Sequence, residues 1–298
     1  MSAPPQASEA LLSRLDLTIA RRLEGLLQGD HKSPFRGQGL DLADLREYQF
    51  HDDVRRMDWN ATARQGIPYV REYLEDREIP VWLLLDMSPS MRFEGMSVSK
   101  HAVLTEFATL ICRLMLSRGN RAGAMIFSGK VDRTIPARGG RQQLLQILSA
   151  MAQHRPTQNT TDLKQVLQDA GHVVRRRSLI FVVSDFISGA GWEKPLTALS
   201  MRHDVVAVRL VDPLEMGIPD LGFLTFQDAE SGEQLFVDTG SRDFRERFAV
   251  LANTREASLR ALFEKAGVDV LELGTQDDVM DALLRFADMR KQSQRRSA

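Results

Sequence analysis

The chain has 298 residues, a formal net charge of -1 and a hydrophobic fraction of 43%, and 27% of its residues are charged. This is the composition of an ordinary globular protein, and the length allows one large α/β domain or two smaller ones. A nearly neutral charge provides no general attraction for nucleic acid or for a membrane surface. The single cysteine, Cys112, excludes an internal disulfide framework. Its place in a predicted amphipathic helix indicates a buried, unreactive thiol.

Membrane and export signals are not evident in the sequence. No apolar run approaches the roughly 20 residues that a membrane-spanning helix needs. Residues 1–9 lack the charged-then-apolar layout of a signal peptide. We therefore expect a cytoplasmic protein without membrane insertion.

Residues 1–34 are predicted to form a tail and one amphipathic helix. Apolar residues recur at helical spacing between Glu9 and Leu27, and Gly29 ends the pattern. An apolar stripe of this kind more often packs on its own domain than on a partner. The residues of the stripe are Leu12, Leu15, Ile19, Leu23 and Leu26.

Residues 35–78 form an N-terminal extension rich in arginine, aspartate and tryptophan. The stretch Tyr69–Tyr73 alternates in polarity, which predicts a half-exposed strand and hence a small β extension. Arginines interleaved with aromatic residues such as Trp59 can contact nucleic acid by stacking and by pairing with phosphate. The many carboxylates of the segment would repel phosphate, so a network of arginine–carboxylate pairs is the favoured interpretation.

The main domain is predicted to span residues 79–290, and a disordered basic tail is expected over residues 291–298. Predicted strands occupy 81–85, 122–127, 131–135, 179–183, 205–211 and 268–273, and predicted helices occupy 97–117, 141–154, 162–175, 193–201, 243–266 and 277–289. An insertion over 213–240 is predicted to contain a hairpin around 228–232. Alternating strands and helices predict parallel pairing, right-handed crossovers and helices on both faces. The fold class is therefore α/β with a doubly wound, mostly parallel sheet.

Two predicted strands that are apolar throughout lead into an aspartate. Asp86 follows Val81–Leu85, and Asp185 follows Leu179–Val183 after one serine. In a doubly wound sheet, ligands bind at the carboxyl ends of the strands, where the chain switches direction. If these two strands flank that switch point, the two aspartates face each other across it.

Hydroxyl groups accompany the two aspartates. Ser88 and Ser90 follow Asp86 at alternating positions, and the loop that carries Thr161 enters a helix that can reach the same edge. Carboxylate and hydroxyl oxygens suit a hard cation such as Mg2+, with Mn2+ or Ca2+ as alternatives. Two carboxylates do little more than neutralise the charge of a dication, and these side chains alone would not fill its coordination positions. Waters would fill the remaining positions, and the carboxylate of a partner could replace one of these waters. The predicted metal ligands are Asp86, Ser88, Ser90, Thr161 and Asp185.

This set of residues resembles a known type of metal site. The aspartate–serine motif that begins at Asp86, the distal Thr161 and the later Asp185 are similar to the metal-ion-dependent adhesion site of von Willebrand factor A domains. Lys100 in the first helix of the domain and the strand segment Gly123–Ser128 also look like that fold. The resemblance implies a von Willebrand factor A-like, Rossmann-like architecture and supports the same metal ligands, with Thr160 as an alternative to Thr161.

Three further stretches resemble a narrower, bacterial family of such domains. They are Leu45–Tyr48, Asp53–Arg64 and Asp212–Glu215. The family is catalogued as a domain of unknown function, number fifty-eight, and is associated with MoxR-type AAA+ ATPases. The resemblance implies a non-enzymatic adaptor for a MoxR-type AAA+ ATPase, acting in chaperone-like maturation or remodelling of an unknown target protein. An acidic side chain of a partner is expected to complete the metal site.

A Mg-dependent phosphoryl-transfer enzyme that uses Asp86 is the main alternative, since an aspartate in this position also occurs in aspartyl-phosphate enzymes. Such enzymes usually have a second acidic residue two positions on, where this chain has Ser88. They also need a cation beside the phosphoryl group. Lys194 is the nearest lysine after Asp185, but nothing in the sequence pattern places it at this site. A metal nuclease would need more carboxylates. We therefore expect no enzymatic activity, and no nucleic-acid partner.

Overall fold

The structure, a computed structural model, describes residues 41–50, 52–74, 79–92, 98–156, 161–227 and 234–297. The predicted N-terminal helix, the turn predicted around 228–232 and Thr160 lie outside the described residues. Within them, the chain separates into a smaller unit that ends at Leu74 and a larger unit that begins at Ile79.

The smaller unit is a two-stranded antiparallel sheet with one helix. Strand β1 (Asp41–Glu47) pairs with strand β2 (Tyr69–Leu74), and helix α1 (Trp59–Gln65) lies between them in the chain. The strand predicted at Tyr69 is therefore confirmed. The alternation of its partner β1 is hidden among charged residues, so the sequence did not predict that strand.

Charged side chains in the smaller unit pair with one another and cap its helix. Arg46 donates two hydrogen bonds of 2.6 Å to the two carboxylate oxygens of Asp52. Asp58 caps α1 by accepting hydrogen bonds from the backbone N–H groups of Asn60 and Ala61. These contacts agree with an internal arginine–carboxylate network, in which bidentate pairs are the strong ones.

Strands and helices alternate through the larger unit. Its described strands are β3 (Val81–Asp86), β4 (Ala122–Phe127), β5 (Val131–Arg138), β6 (Leu179–Ser184), β7 (Asp204–Val211), β8 (Phe223–Gln227), β9 (Gln234–Asp238) and β10 (Asp269–Gly274). Its described helices are α2 (Lys100–Ser117), α3 (Arg141–Ala152), α4 (Leu163–Val173), α5 (Glu193–Ser200), α6 (Pro213–Met216), α7 (Arg242–Ala266) and α8 (Val279–Ser297). Among the described helices, none combines the length and apolar character needed to cross a membrane.

The central sheet has six strands in the order β10-β7-β6-β3-β4-β5, and only β5 runs antiparallel to its neighbour. Strands β8 and β9 form a separate antiparallel pair. The predicted fold class, α/β with a doubly wound and mostly parallel sheet, is confirmed. Strand β3 lies between β6 and β4, so the two strands that lead to Asp86 and Asp185 are direct neighbours.

Helices cover both faces of this sheet, which explains why β3, β4 and β6 are apolar without alternation. Leu83 and Leu85 of β3 belong to the core that includes Phe107 of α2 and Leu283 of α8. Leu84 belongs to the opposite core, formed largely with α4, α5 and α7. Cys112 is buried in the first core, as expected from the sequence, and burial raises the pKa of its thiol to about 12, which disfavours the reactive thiolate.

The two ends of the main domain differ from the sequence prediction. Helix α2 begins at Lys100 because the hydroxyl of Ser99 caps it by accepting the N–H of Ala102. Helix α8 continues to Ser297, beyond the predicted end at residue 289 and through most of the tail for which disorder was expected. Arg290 explains the difference, since it forms ion pairs with Asp204 and Asp269 at the start of two strands. A tertiary contact of this kind leaves no local pattern in a basic tail.

Candidate functional site

The candidate site lies at the carboxyl ends of β3 and β6. Asp86 is the last residue of β3 and is fully buried, with 0% exposure. One of its carboxylate oxygens accepts the backbone N–H of Ser88 at 3.0 Å, and the other accepts the hydroxyl of Ser184 at 2.6 Å. Ser184 is the last residue of the neighbouring strand β6. The carboxylate of Asp86 is therefore fixed by its own loop and by the adjacent strand.

Asp185 follows β6 and is also buried. Its Oδ1 accepts the backbone N–H of Ile187 at 3.0 Å, and its Oδ2 accepts Nζ of Lys100 at 2.8 Å. The structure thus brings the two aspartates to the same edge, on adjacent strands, as the sequence predicted. Two consecutive residues therefore serve both carboxylates. Ser184 donates a hydrogen bond to Asp86, and Asp185 accepts one from Lys100.

The backbone turns sharply directly after Asp185. Phe186 has a φ of 56°, in the left-handed region that costs a non-glycine residue about 1–2 kcal/mol. Its ring packs against Trp192 and Phe263, at centroid distances of 5.5 and 4.9 Å. Aromatic packing in the core on one face of the sheet therefore holds the turn that orients Asp185.

The two serines of the first loop lie side by side. The hydroxyls of Ser88 and Ser90 are 3.1 Å apart, and Ser90 lies in a short 3-10 helix over Pro89–Arg92. The backbone carbonyl of Ser88 accepts the N–H of Met91 at 3.1 Å, and Met91 is fully buried. Burial of Met91 anchors the loop that carries both hydroxyls.

Thr161 approaches the same edge from the segment before α4. Its backbone carbonyl accepts the hydroxyl of Ser188, in the loop after Asp185, at 2.7 Å. The next residue, Asp162, donates its N–H to the carbonyl of Gly129 at 3.1 Å, in the turn between β4 and β5. The hydroxyl oxygen of Thr161 is buried and has no hydrogen-bond partner among the described residues. A buried hydroxyl without a partner costs about 1–3 kcal/mol, so this group favours a ligand.

The two carboxylates interact electrostatically. Burial raises the pKa of Asp86 from 3.8 to about 7, and the charge of Asp185 contributes to the rise. Hydrogen bonds from Ser184 and Ser88 act in the opposite direction. Burial beside a second carboxylate thus favours the protonated form of Asp86 in the absence of a cation.

Lys100 and Glu215 complete the charged cluster, and reasoning from spacing and chemistry gave neither of them a role. The Nζ of Lys100 lies 2.5 Å from Oε1 of Glu215 in α6, as well as 2.8 Å from Asp185. Burial alone would lower the pKa of Lys100, but the carboxylates of Asp185 and Glu215 raise it above its usual value. Lys194, the lysine that the sequence offered for this region, lies exposed on α5 instead.

A signal for Lys100 did exist in the sequence. The residue occupies the first turn of α2, where the positive end of the helix dipole disfavours a cation. It is 1% exposed, and a buried ammonium is stable only when it is paired. A lysine at the start of an amphipathic helix, directly after a capping serine, therefore suggested a carboxylate partner.

The donor set fits a hard divalent cation. In the part of the chain that the structure describes, no three His, Cys, Asp or Glu side chains gather in a group suited to a metal ion. A cation at this edge would therefore depend on hydroxyl oxygens as well as on the two aspartates, which is within the range of Mg2+ and Ca2+ chemistry. The unpaired hydroxyl of Thr161 is consistent with that arrangement.

Comparisons with known proteins identify relatives of the chain. The model of the family described as "Protein of unknown function DUF58" matches residues 44–258. The uncharacterised protein Rv1480 of Mycobacterium tuberculosis is 36% identical over 287 residues, which are 95% of this chain and 89% of that protein.

Solved structures with similar folds share little sequence with the chain. An aerotolerance-related membrane protein from Bacteroides fragilis superimposes with a TM-score of 0.50 at 14% identity, covering 72% of this chain and 99% of that one. The VWA domain of SpRpn10 gives a TM-score of 0.41 at 13% identity, covering 69% and 93%. At such identities the likeness concerns the fold alone. The chain has a von Willebrand factor A-like fold and belongs to the DUF58 family.

Proposed function

We propose that this protein is a non-enzymatic, metal-dependent protein-interaction module. The observation that carries the proposal is the buried hydroxyl of Thr161, which has no hydrogen-bond partner among the described residues, at an edge that also holds two buried carboxylates. The proposed ligands are the carboxylates of Asp86 and Asp185, one of them acting through water, and the hydroxyls of Ser88, Ser90 and Thr161. Mg2+ is the expected ion, and Mn2+ or Ca2+ can replace it.

The protein's own groups prepare the edge for docking. Ser184 and the backbone of Ser88 orient the carboxylate of Asp86, and Ile187 and Lys100 orient that of Asp185. When bound, the cation supplies a positive charge with one coordination position open to an acidic side chain of a partner. Because the donors are few and partly neutral, we expect weak, reversible cation binding.

The partner in this proposal is a MoxR-type AAA+ ATPase, and the pair acts on an unidentified target protein in maturation or remodelling. Support comes from the resemblance of Asp53–Arg64 and Asp212–Glu215 to the family that is associated with such ATPases. Membership of the DUF58 family agrees with this resemblance. The arrangement of the site also fits recognition of a carboxylate better than it fits catalysis.

Phosphoryl transfer by Asp86 is disfavoured by the contacts of the site. The residue two positions after Asp86 is Ser88, and not the second acidic residue that aspartyl-phosphate enzymes usually have. The ammonium of Lys100 is already shared by two carboxylates. We expect no phosphorylated Asp86 after incubation with acetyl phosphate and Mg2+, as measured by intact-protein mass spectrometry.

The proposal is tested by Asp86→Ala, with Asp162→Asn as the matched control. Asp162 lies beside Thr161 but is exposed and caps α4. We expect Asp86→Ala to abolish Mn2+ binding in calorimetry and to lose the ATPase in pull-downs from the native cell. The control should keep both. An Asp86→Ala protein that is folded and binds metal and partner like the wild type would refute the proposal.

A further inference from the structure

Lys100 and Glu215 form a partly buried ion pair that the proposed cation site does not itself require. The two residues are 115 positions apart in the sequence, and Nζ of Lys100 lies 2.5 Å from Oε1 of Glu215. The same Nζ lies 2.8 Å from Oδ2 of Asp185. Lys100 is therefore a positive charge directly attached to one of the proposed metal ligands. Such a charge opposes the binding of a second cation nearby.

Glu215 offsets that opposition. With both aspartates and Glu215 ionised, three carboxylates and one ammonium leave two negative charges in the cluster, which match one divalent cation. Without Glu215, the ammonium would be balanced by Asp185 alone, and the cluster would retain a single negative charge. Glu215 thus frees the charge of Asp185 for a metal ion.

The local structure gives Glu215 a defined position. Helix α6 follows β7 directly, and Asp212 caps it by accepting the N–H of Leu214 at 2.9 Å. Asp212 is held in turn by the hydroxyl of Thr275 at 3.0 Å. The side chain of Glu215 is 26% exposed, whereas that of Lys100 is 1% exposed. Glu215 is therefore the one member of the pair that solvent can reach.

We propose that Glu215, acting through Lys100, sets the affinity of the edge for divalent cations and is an affinity-determining residue that does not itself bind the ion. This inference rests on the proposed function, because it assumes that a cation binds at Asp86 and Asp185. Groups that support metal ligands without touching the metal typically change metal affinity by about 10- to 100-fold. We therefore expect an effect of about tenfold for each member of the pair.

The test is calorimetric titration of Mn2+ into four full-length proteins: the wild type, Glu215→Gln, Lys100→Met and the double variant. Glu215→Gln should weaken binding about tenfold, because Lys100 then pairs with Asp185 alone. Lys100→Met should tighten binding by a similar factor. In the Lys100→Met background, Glu215→Gln should have little further effect, since Glu215 has lost the contact through which it acts.

The control Glu246→Gln removes the same charge from the exposed face of α7, where Glu246 pairs with Arg242, and should leave affinity unchanged. Glu215→Gln tests the inference even if Lys100→Met does not fold, because Glu215 is partly exposed. Equal weakening by Glu215→Gln in both backgrounds, or unchanged affinity in Glu215→Gln alone, would overturn this inference and leave the proposed function intact. Absence of binding in both the wild type and Lys100→Met would overturn both.

Discussion

Two buried aspartates at the ends of parallel strands have almost the same contacts but different surroundings. Asp86 after β3 accepts the N–H of Ser88 and the hydroxyl of Ser184. Asp212 after β7 accepts the N–H of Leu214 and the hydroxyl of Thr275. Each carboxylate thus accepts the N–H of the residue two positions later in the chain. Each also accepts one hydroxyl, which comes from the end of the adjacent strand for Asp86 and from the turn after the adjacent strand for Asp212.

The difference lies in what else reaches the edge. Asp86 interacts with a second carboxylate, that of Asp185. The loop after Asp185 contacts Thr161 through Ser188, and the buried hydroxyl of Thr161 has no partner among the described residues. The described contacts account for both oxygens of Asp212, as they do for Asp86, but those of Asp212 serve to cap α6. A buried aspartate at a strand end is therefore a structural cap by default. Convergence with other oxygen groups is what indicates a ligand site.

The largest effect that we expect on stability concerns pH. In the folded, metal-free protein the pKa of Asp86 is about 7, against 3.8 ordinarily. The folded state therefore retains a proton that the unfolded chain releases between about pH 4 and 7, so the free energy of unfolding falls as pH rises through that window. At about 1.4 kcal/mol per pKa unit, the loss reaches about 4 kcal/mol.

Urea denaturation in the presence of a chelator, at pH 5 and pH 8, measures this loss. Asp86→Asn removes the titrating group and should be more stable than the wild type at pH 8 but not at pH 5. The matching substitution Asp212→Asn should not become more stable than the wild type at pH 8. If wild type and Asp86→Asn show the same dependence on pH, the Asp86 carboxyl is not the source.

The second largest effect is stabilisation by the cation. An ion that binds only the folded state adds about 2.7 kcal/mol when its concentration is 100 times its dissociation constant. Thermal unfolding of the wild type should therefore shift upward with increasing Mg2+ at pH 8. Asp86→Asn should show no shift, whereas Asp212→Asn should still respond. A shift of the same size in all three proteins would indicate binding elsewhere.

Thr161→Val separates a ligand from a packing residue. Valine has nearly the same shape and lacks the unpaired hydroxyl, so the metal-free protein should gain about 1 kcal/mol of stability in urea denaturation. Calorimetry should show Mn2+ affinity weakened by at least about tenfold. A gain in stability with unchanged Mn2+ affinity would show that the hydroxyl of Thr161 is an unsatisfied buried group and not a metal ligand.

The smallest effect on metal binding is expected for the capping aspartate. Asp212→Ala should lower the free energy of unfolding by about 1–2 kcal/mol, as loss of a helix cap does. Mn2+ should still bind, because Asp212 contributes no oxygen to the proposed site. Complete loss of binding in a folded Asp212→Ala protein would show that the two strand ends are not separate in function.

The sequence predicted the parts of the site that depend on strands. Uninterrupted apolar runs before Asp86 and before Asp185 identified β3 and β6, and their adjacency at a switch point was a supposition that the sheet order now confirms. That Asp86, Ser88, Ser90, Thr161 and Asp185 bind metal remains a prediction. The structure places four of them at the two strand ends and links Thr161 to that edge through Ser188.

Contacts distant in sequence could not be predicted. Lys100 and Glu215 are 115 positions apart, and neither the helical pattern of α2 nor the cap of α6 specifies that they meet. The ion pairs of Arg290 in α8 likewise join it to residues distant in sequence, Asp204 and Asp269, at the start of two strands. Local periodicity in the sequence predicts individual strands and helices. Which side chains pair at the edges of the sheet depends on the order of the strands, which local periodicity does not specify.

The central claim is that one divalent cation binds at the ends of β3 and β6. The most direct measurement is a titration of Mn2+ into the wild-type protein and Asp86→Ala at pH 8, monitored by the electron paramagnetic resonance signal of the free ion. We expect one weak site per chain in the wild type, from which Mg2+ displaces Mn2+, and no site in Asp86→Ala. Equal uptake by the two proteins, or no uptake by the wild type, would contradict the account.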